Sequence, residues 1–263
     1  MPEGDTIRHA ARRVGAALIG TETRPIETPH PRHARDRWPE RLAGLGVRAV
    51  DAHGKHLFIR FEGGLTLHSH LRMTGKWGVY APGRRWLASP SASPRRRRAW
   101  LVIRTDASEV VQFDGPVLEL MTDSRTRFDQ RLAALGPDVL ADDFDERAFL
   151  LRLREDDPTR GIGDALLDQR TVAGIGNLWK AEACFATGVD PWRRTGEVTD
   201  QEALAVVQAA RGAMQQSVEE GLRVTSAVYD RAGLPCPRCN GPVRARGQGE
   251  HNRTTFWCPR CQA

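Results

Sequence analysis

Three stretches of the chain differ in how their apolar residues are spaced. In residues 5–18 the apolar positions Ile7, Val14 and Leu18 recur at helical spacing, and Asp5 is a suitable N-cap, which predicts an amphipathic helix. From about residue 47 to residue 113, short segments such as LFIRF, LTLHSHL and AWLVIRT alternate or run apolar between glycine-containing turns. From about residue 129 onward the apolar period is helical. The pattern predicts an α+β protein in which a helix and an antiparallel β-sandwich or flattened barrel precede a helical region.

The change from strand period to helix period falls within the segment SRTRFDQRLAALGPD. We therefore predict a β-rich domain over residues 1–128, a helical domain over 129–230 and a cysteine-rich domain over 231–263. The segment PGRRWLASPSASPRRRR at residues 82–98 is rich in Pro, Ser and Arg, and it predicts a mobile surface loop between two strands.

Composition and charge narrow the class of protein. The chain has 263 residues, of which 40% are hydrophobic and 27% charged, as in globular proteins. It has no apolar run long enough for a membrane span and no secretory signal pattern at its start, so we expect a cytoplasmic protein without a membrane partner. The formal net charge of +6 favours a polyanionic partner, nucleic acid first, with a basic host proteome or a solvated basic face as the alternatives. A monomer is the default expectation.

Four of the five cysteines form two CPRC motifs near the C-terminus. Cys236 and Cys239 are followed, after eighteen residues, by Cys258 and Cys261. Each C-x2-C turn aims two sulfurs at one point, and two such turns complete a tetrahedron, so this spacing predicts one structural Zn²⁺. The intervening stretch predicts two short strands with a turn at GQGEHN, which is a zinc ribbon. The remaining cysteine, Cys184, is interpreted as a small core residue.

The segment AGIGNLWKAEACFATG predicts a helix with a glycine-rich start. Gly174 and Gly176 allow the backbone to approach a phosphate, and Asn177 is able to cap the helix or to donate its amide hydrogen to phosphate. No strand precedes the motif, so it does not match a nucleotide-binding fingerprint. A helix-turn-helix that grips a DNA backbone fits it better.

The first residues raise a separate question. If Met1 is removed, the chain starts with the secondary amine of Pro2, followed by the carboxylate of Glu3 and a helix start. A proline and an acidic residue at a first helical turn are also ordinary structural choices.

Four separated motifs together resemble one protein family. They are MPEG at the N-terminus, GKHLF, AGIGNLWKAEACFATGVDP and RTTFWCPRCQ, in that order along nearly the whole chain. This combination resembles the formamidopyrimidine-DNA glycosylase / endonuclease VIII family of base-excision repair enzymes, and MPEG is closer to the endonuclease VIII branch. The resemblance implies an N-terminal helix and β-sandwich, a helix-two-turn-helix domain and a zinc ribbon. It also implies a bifunctional DNA glycosylase and AP lyase that acts on oxidised bases, with pyrimidines preferred, in nucleoid DNA.

The resemblance assigns three catalytic residues. Pro2 is implied as the nucleophile through its N-terminal amine, Glu3 as its acid/base partner, and Lys55 as the lysine of a turn beside the site. An ordinary surface lysine is the alternative for Lys55. The family's second glutamate is replaced by Thr6 in this chain. That change is the one feature that favours a non-catalytic protein that binds damaged DNA.

The resemblance also assigns DNA-binding residues. Asn177 and Arg253 are implied to hold the phosphates that flank the lesion, with Gly174 and Gly176 at the same helix start. In SHLRMTG, Met73 is implied as the wedge that fills the gap left by a flipped base, with Arg72 beside it. A buried strand residue is the alternative for Met73. The histidines of LHSHL are interpreted as structural, and the arginines at 95–98 as a solvated loop or an extra phosphate contact. A zinc-ribbon protein of transcription is a third possibility, and it predicts no preference for damaged over intact duplex.

Overall fold

The structure is a computed structural model that describes residues 2–33, 35–83 and 99–263. Most of the predicted loop at 82–98, with its four arginines, lies outside the described residues. The helices and strands in chain order are α1 Gly4–Leu18, α2 Trp38–Leu42, β1 Val47–His53, β2 His56–Phe61, β3 Leu65–His70, β4 Lys76–Tyr80, β5 Ala99–Arg104, β6 Glu109–Phe113, β7 Val117–Thr122, α3 Asp123–Phe128, α4 Gln130–Ala133, α5 Glu146–Glu155, α6 Ile162–Ala165, α7 Asn177–Thr187, α8 Asp200–Glu219, β8 Arg244–Gln248 and β9 Arg253–Trp257.

The described chain divides into two compact units. The first, which we call the sandwich unit, comprises Met1–Pro2 and Thr6–Ala133. The second, which we call the helical unit, comprises Glu3–Asp5 and Ala134–Ala263, and therefore includes the cysteine-rich tail. The predicted three-domain boundaries at 128/129 and 230/231 stay a prediction.

The sandwich unit contains two antiparallel sheets with a shared core. One sheet has the strand order β1-β2-β3-β7 and the other has the order β4-β6-β5. Apolar residues of both sheets pack with the inner face of α1; the cluster includes Ile7, Val14, Leu18, Leu57, Ile59, Leu67, Trp77, Leu101, Ile103 and Val110. Burial of these alternating positions stabilises the sandwich. The predicted antiparallel sandwich is thus confirmed.

Three local predictions about this region are corrected. Asp5 is not the N-cap of α1, because the helix begins at Gly4 and the carboxylate of Asp5 accepts a hydrogen bond from the hydroxyl of Ser217 at 2.8 Å. The β region does not end at residue 113, since β7 pairs along β3. The helical period also begins earlier than residue 129, at Asp123, where Thr122 caps α3.

The helical unit is organised around α7. One face of α7 contributes Trp179, Ala183 and Cys184 to a core shared with α5 and α8. The opposite face contributes Ala181 and Phe185 to a smaller cluster with the cysteine-rich tail. A helix covered on two sides needs apolar residues on both, which explains the sequence of α7. Cys184 is a core residue as predicted, and its burial raises the pKa of the thiol to about 12.

Among the helices of residues 2–33, 35–83 and 99–263, none combines the length and the apolar character that crossing a lipid bilayer requires.

Candidate active site

Glu3 lies at the start of α7, 175 residues further along the chain. The backbone N–H of Leu178 donates to Oε1 of Glu3 at 2.9 Å, and the N–H of Trp179 donates to Oε2 at 3.4 Å. The carboxylate is 3% exposed. Two backbone donors and the positive end of the helix dipole stabilise its negative charge. Pro2, which is half-buried, directly precedes this anchored carboxylate in the chain.

Close approach between two backbone segments explains why Gly4, Gly174 and Gly176 are glycines. The N–H of Gly4 donates to the carbonyl of Gly174 at 2.9 Å, and a Cβ at Gly4 would lie 2.9 Å from Cα of Gly174. Gly174 has a φ of 108°, in the region that favours glycine. A side chain at Gly176 would overlap the carboxylate of Glu3. The glycine-rich start of α7 therefore packs directly against Glu3 and Gly4.

Gln169, which the sequence analysis missed, shapes the segment before α7. Its Oε1 accepts a hydrogen bond from the N–H of Gly174 at 3.0 Å. Its Nε2 donates to the carbonyls of Leu167 and Ile175 at 2.9 and 3.0 Å. This one amide thus satisfies backbone groups on both sides of the turn. A glutamine in a helical stretch gives no local signal of such a role.

The structure brings Asn177 and Arg253 together. Asn177 is the first residue of α7 and not its cap, because Gly176 occupies the N-cap position. Its Nδ2 donates to the carbonyl of Thr254 at 2.7 Å, on the residue after Arg253. Arg253 is exposed at the first position of β9, next to the turn at 249–252 as predicted. The amide of Asn177 is therefore hydrogen-bonded to the strand that Arg253 begins, and amide and guanidinium groups both bind anions.

Lys180 and Tyr229, which the sequence analysis also missed, are hydrogen-bonded to Asn177. Lys180 is completely buried, and its ammonium donates to Oδ1 of Asn177 at 2.9 Å and to Oγ1 of Thr255 at 2.5 Å. Burial lowers the pKa of Lys180 to about 8. Burial also raises the pKa of Tyr229, while a hydrogen bond with Asn177 opposes that rise. A lysine within a helix looks like a surface residue in sequence, so a buried role for Lys180 was not expected.

In the sandwich unit, Lys55 lies in a tight turn. Residues 54–55 connect β1 to β2, whose ends pair through His53 and His56. Lys55 is half-buried and close enough to His70 for its charge to contribute to lowering the pKa of that ring. The predicted position of Lys55 at the mouth of a strand is confirmed, while its role stays a prediction.

The histidines beside this turn are hydrogen-bonded, as the structural interpretation predicted. Nδ1 of His56 lies 2.8 Å from Nε2 of His68, and Nδ1 of His68 lies 3.5 Å from the carboxylate of Glu119. Burial lowers the pKa of His56 to about 2 and that of His70 to about 4. Both rings are therefore neutral at neutral pH.

The predicted wedge lies in an exposed turn between β3 and β4. Met73 is 59% exposed, which excludes the alternative that it is a buried strand residue. Arg72 before it has a φ of 49°, and its backbone N–H donates to Nδ1 of His70 at 3.0 Å. The N–H of Gly75 closes the turn on the carbonyl of Leu71 at 2.9 Å. An apolar side chain is thus displayed on a hydrogen-bonded turn.

The four cysteines of the tail are close enough to hold one metal ion. Their sulfur atoms all lie within 4.8 Å of one another, with separations of 3.8 Å for Cys236 and Cys261 and 3.5 Å for Cys239 and Cys258. Four sulfurs at about 2.3 Å from a tetrahedral Zn²⁺ lie about 3.8 Å apart. The donor set and its spacing therefore fit zinc, and four thiolates leave no open position for substrate. Strands β8 and β9 form the hairpin between the two cysteine pairs, as predicted.

Two family models match the chain. The formamidopyrimidine-DNA glycosylase N-terminal domain matches residues 1–125, and the formamidopyrimidine-DNA glycosylase H2TH domain matches residues 135–228. Together they span the sandwich, Glu3 and the helices that hold it.

Whole proteins are similar over the same length. A probable endonuclease 8 2 of Streptomyces coelicolor is 42% identical, over 100% of this chain and 94% of that protein. The DNA-(apurinic or apyrimidinic site) lyase Nei2 of Mycolicibacterium smegmatis is 37% identical, over 100% and 99%. The fold matches Lactococcus lactis Fpg, solved in complex with DNA containing an abasic site, with a TM-score of 0.81, 23% identity and 99% of each chain covered. By its sequence, this chain belongs to the formamidopyrimidine-DNA glycosylase / endonuclease 8 family of DNA-repair enzymes.

Proposed function

We propose that this enzyme excises oxidised bases, pyrimidines in preference to purines, and then nicks the strand with the amine of Pro2 as nucleophile. The observation that carries the proposal is the carboxylate of Glu3, fixed by two backbone N–H groups of α7 directly after Pro2. Membership of a DNA glycosylase and AP lyase family supports the reaction class. The preference for pyrimidines rests on the similarity of the chain to relatives named endonuclease 8.

The amine of Pro2 suits the first step. A terminal amine has a pKa of about 7.7–8.0, so a useful fraction is neutral at pH 7, unlike a lysine at about 10.4. Its nitrogen bonds to C1′ of the damaged nucleotide, the glycosidic bond breaks, and the base leaves with a proton. Opening of the sugar ring then gives an iminium ion between the nitrogen of Pro2 and C1′.

The iminium ion drives strand cleavage. It withdraws electrons and acidifies C2′, so removal of a C2′ proton expels the 3′ phosphate, and a second elimination expels the 5′ phosphate. Water then hydrolyses the iminium and frees the amine. Glu3 is the group that accepts and returns protons during these steps, because it is the carboxylate next to the nucleophile and is held in one position. Lys55 is proposed to contribute positive charge near the reacting phosphates.

DNA is proposed to bind through phosphate contacts and an apolar wedge. Asn177 and Arg253, with the glycine-rich start of α7 at Gly174 and Gly176, hold phosphates beside the lesion. A base inside a duplex is inaccessible, so the damaged nucleotide is flipped out and Met73 fills the gap with Arg72 beside it. Zn²⁺ on the four cysteines supplies structural stability and takes no part in the chemistry. We expect the enzyme to act as a monomer on nucleoid DNA, duplex or partly single-stranded.

The second candidate function, a damage-binding protein without catalysis, is favoured by Thr6 alone. Borohydride trapping separates the two functions. The protein is mixed with duplex DNA that contains an oxidised pyrimidine, an oxidised purine or an abasic site, and the iminium is reduced to a stable amine. We expect a crosslink that mass spectrometry maps to the amine of Pro2, formed faster with the oxidised pyrimidine than with the oxidised purine.

The control is Pro2→Thr, which should bind the abasic duplex and fail to crosslink. Tight binding without any adduct, in a protein whose N-terminus is shown to be Pro2, would leave the damage-binding function. Equal binding to damaged and intact duplex would exclude both functions.

A further inference from the structure

The completely buried Lys180 is the starting observation. A buried ammonium loses its hydration, and proteins normally compensate it with a carboxylate. Here its hydrogen bonds go to two neutral oxygens, Oδ1 of Asn177 and Oγ1 of Thr255. Within residues 2–33, 35–83 and 99–263, no carboxylate forms a salt bridge with it; Glu3 and Asp164 act on it only at longer range. The protein therefore keeps a costly cation in the interior beside the proposed phosphate site.

Lys180 fixes the orientation of Asn177. An ammonium group only donates, so the atom of the Asn177 amide that faces it must be the oxygen Oδ1. The nitrogen Nδ2 is then turned toward the carbonyl of Thr254, where it donates at 2.7 Å. Without the ammonium, the amide could rotate by half a turn and exchange its nitrogen and oxygen. The side chain that is proposed to donate to phosphate is thereby held in the donor orientation.

Lys180 also joins α7 to the zinc ribbon. The hydroxyl of Thr255 donates to Oε1 of Gln248 at 2.7 Å, which leaves a lone pair of Thr255 for Lys180. Nε2 of Gln248 donates to the carbonyl of Pro191 at 2.7 Å. A continuous chain of buried hydrogen bonds thus runs from Asn177 through Lys180 to β8 and β9, and Arg253 begins β9.

We propose that Lys180 is a positioning residue that holds the amide of Asn177 and strand β9 together, so that Asn177 and Arg253 bind one DNA phosphate as a unit. This inference rests on the proposed function, because it takes the anion to be a phosphate of damaged DNA. Lys180 itself does not touch the DNA.

The test uses the full-length zinc-loaded protein and a duplex with a tetrahydrofuran abasic analogue, which is bound but not cleaved. Lys180→Met keeps the length of the side chain and removes the charge and both hydrogen bonds. We expect it to weaken binding by about ten- to a hundredfold, the usual effect of losing a hydrogen bond to a buried charged group. Single-turnover cleavage of a duplex with a natural abasic site, at saturating enzyme, should keep its wild-type rate, since the proton-transfer groups remain in place.

Two comparisons separate positioning from other roles. A residue that contacts phosphate releases counterions, so Arg253→Ala should reduce the slope of log affinity against log salt by about 1. Lys180→Met should weaken binding in parallel at every salt concentration and leave that slope unchanged. In a double-mutant cycle, Asn177→Ala and Lys180→Met together should weaken binding by less than the sum of the two single effects. Arg154→Met is the matched control for loss of one positive charge, because Arg154 contacts Asp200 and backbone carbonyls outside this cluster.

The outcomes are distinct. Fully additive effects of the Asn177 and Lys180 variants, or a salt slope lowered by Lys180→Met, would overturn the positioning role. Weakening by Asn177→Ala with wild-type binding by Lys180→Met would also overturn it and would leave the proposed function intact. If the Asn177→Ala and Arg253→Ala variants both bind like the wild type, the phosphate site itself is wrong. Zinc content and thermal unfolding of each variant show whether a loss of binding reflects a loss of fold.

Discussion

The two units present their proposed functional residues in opposite ways. In the helical unit, Glu3, Asn177 and Lys180 are buried and are fixed by hydrogen bonds to backbone or to one another. In the sandwich unit, Arg72 and Met73 are exposed on a turn, and Lys55 lies half-buried in another turn. A phosphate and a sugar have the same shape in every nucleotide, so a rigid site suits them. The gap left by a flipped base varies with its neighbours, and an exposed flexible thioether adapts to it.

The largest effect is expected from Gly176→Ala, which tests the fixed position of Glu3 in the helical unit. The added methyl group would overlap the carboxylate of Glu3 and displace it from the N–H groups of α7. Since general acid–base catalysis contributes about 10²–10⁴-fold, we expect strand cleavage to slow by about a hundredfold or more. The measurement is the single-turnover rate on an abasic duplex.

The matched control is Gly212→Ala in the interior of α8, where a new methyl group meets nothing within 4 Å. That substitution should stabilise the protein by about 0.5–1 kcal/mol and leave cleavage unchanged. Wild-type cleavage by the Gly176→Ala variant would show that the position of the Glu3 carboxylate does not matter.

Removal of zinc tests whether the proposed phosphate-binding residue Arg253 depends on the folded hairpin of β8 and β9. Without the metal the four sulfurs are no longer bonded to one centre, so the hairpin of β8 and β9 loses its order and Arg253 its fixed position. We expect chelation to weaken binding to the abasic analogue by about ten- to a hundredfold, equivalent to about 1.4–2.7 kcal/mol. Metal analysis and binding titrations check this, and added Zn²⁺ should restore the affinity of the wild type but not of Cys258→Ala. Unchanged binding by the metal-free protein would contradict the expectation.

Met73→Ala tests the proposed wedge on the exposed turn of the sandwich unit. The side chain makes little contact with the folded protein, so stability should change by less than about 0.5 kcal/mol. Base excision from a duplex should fall by about three- to tenfold, because the gap in the stack is no longer filled. Leu151→Ala is the matched control, since Leu151 is also 59% exposed but lies on α5. Equal losses in both variants would exclude a specific wedge.

The smallest expected effect concerns the pH dependence of the turn that carries Met73. Burial lowers the pKa of His70 from 6.5 to about 4, so the folded protein binds fewer protons than the unfolded chain between these values. The contribution of His70 to the free energy of unfolding is therefore fully present above pH 6.5 and is lost as the pH falls toward 4. Protonation also removes the acceptor for the N–H of Arg72.

His70→Asn keeps an acceptor and does not titrate. Between pH 7 and pH 4.5 we expect the wild type to lose about 1–2 kcal/mol more stability than His70→Asn, after allowance for partial exposure of the ring. Urea unfolding at the two pH values measures this difference. Equal losses in the two proteins would show that His70 is not the titrating group.

Much of the architecture could be predicted from local sequence. Alternating apolar residues indicated the sandwich strands, and C-x2-C spacing indicated the metal site around Cys236 and Cys258. Both depend on short-range geometry, namely the two-residue period of a strand and the turn within each motif. Strand β7 was missed because DGPVLELMT begins with turn residues and only its pairing with β3 makes it a strand.

Site residues could be predicted only where they belong to a recognisable local sequence motif. The positions of Lys55 in its turn and of Arg253 beside the hairpin turn follow from local sequence. The contact between Glu3 and the N–H groups of Leu178 and Trp179 does not, because it joins residues 175 positions apart. The roles of Gln169 and Lys180 have no local signature either. A buried ammonium is acceptable only when specific oxygens surround it, and those oxygens come from distant segments.

The sequence by itself therefore determined most of the strands and helices, the grouping of the four cysteines and the resemblance to a repair enzyme. The tertiary structure decided that the carboxylate after Pro2 is held by a helix start and that Lys180 is interior. Local periodicity and turn chemistry act within a few residues, so they are visible in the sequence. Desolvation and hydrogen bonding between distant segments depend on the packed chain, and they fix the carboxylate of Glu3 and the amide of Asn177.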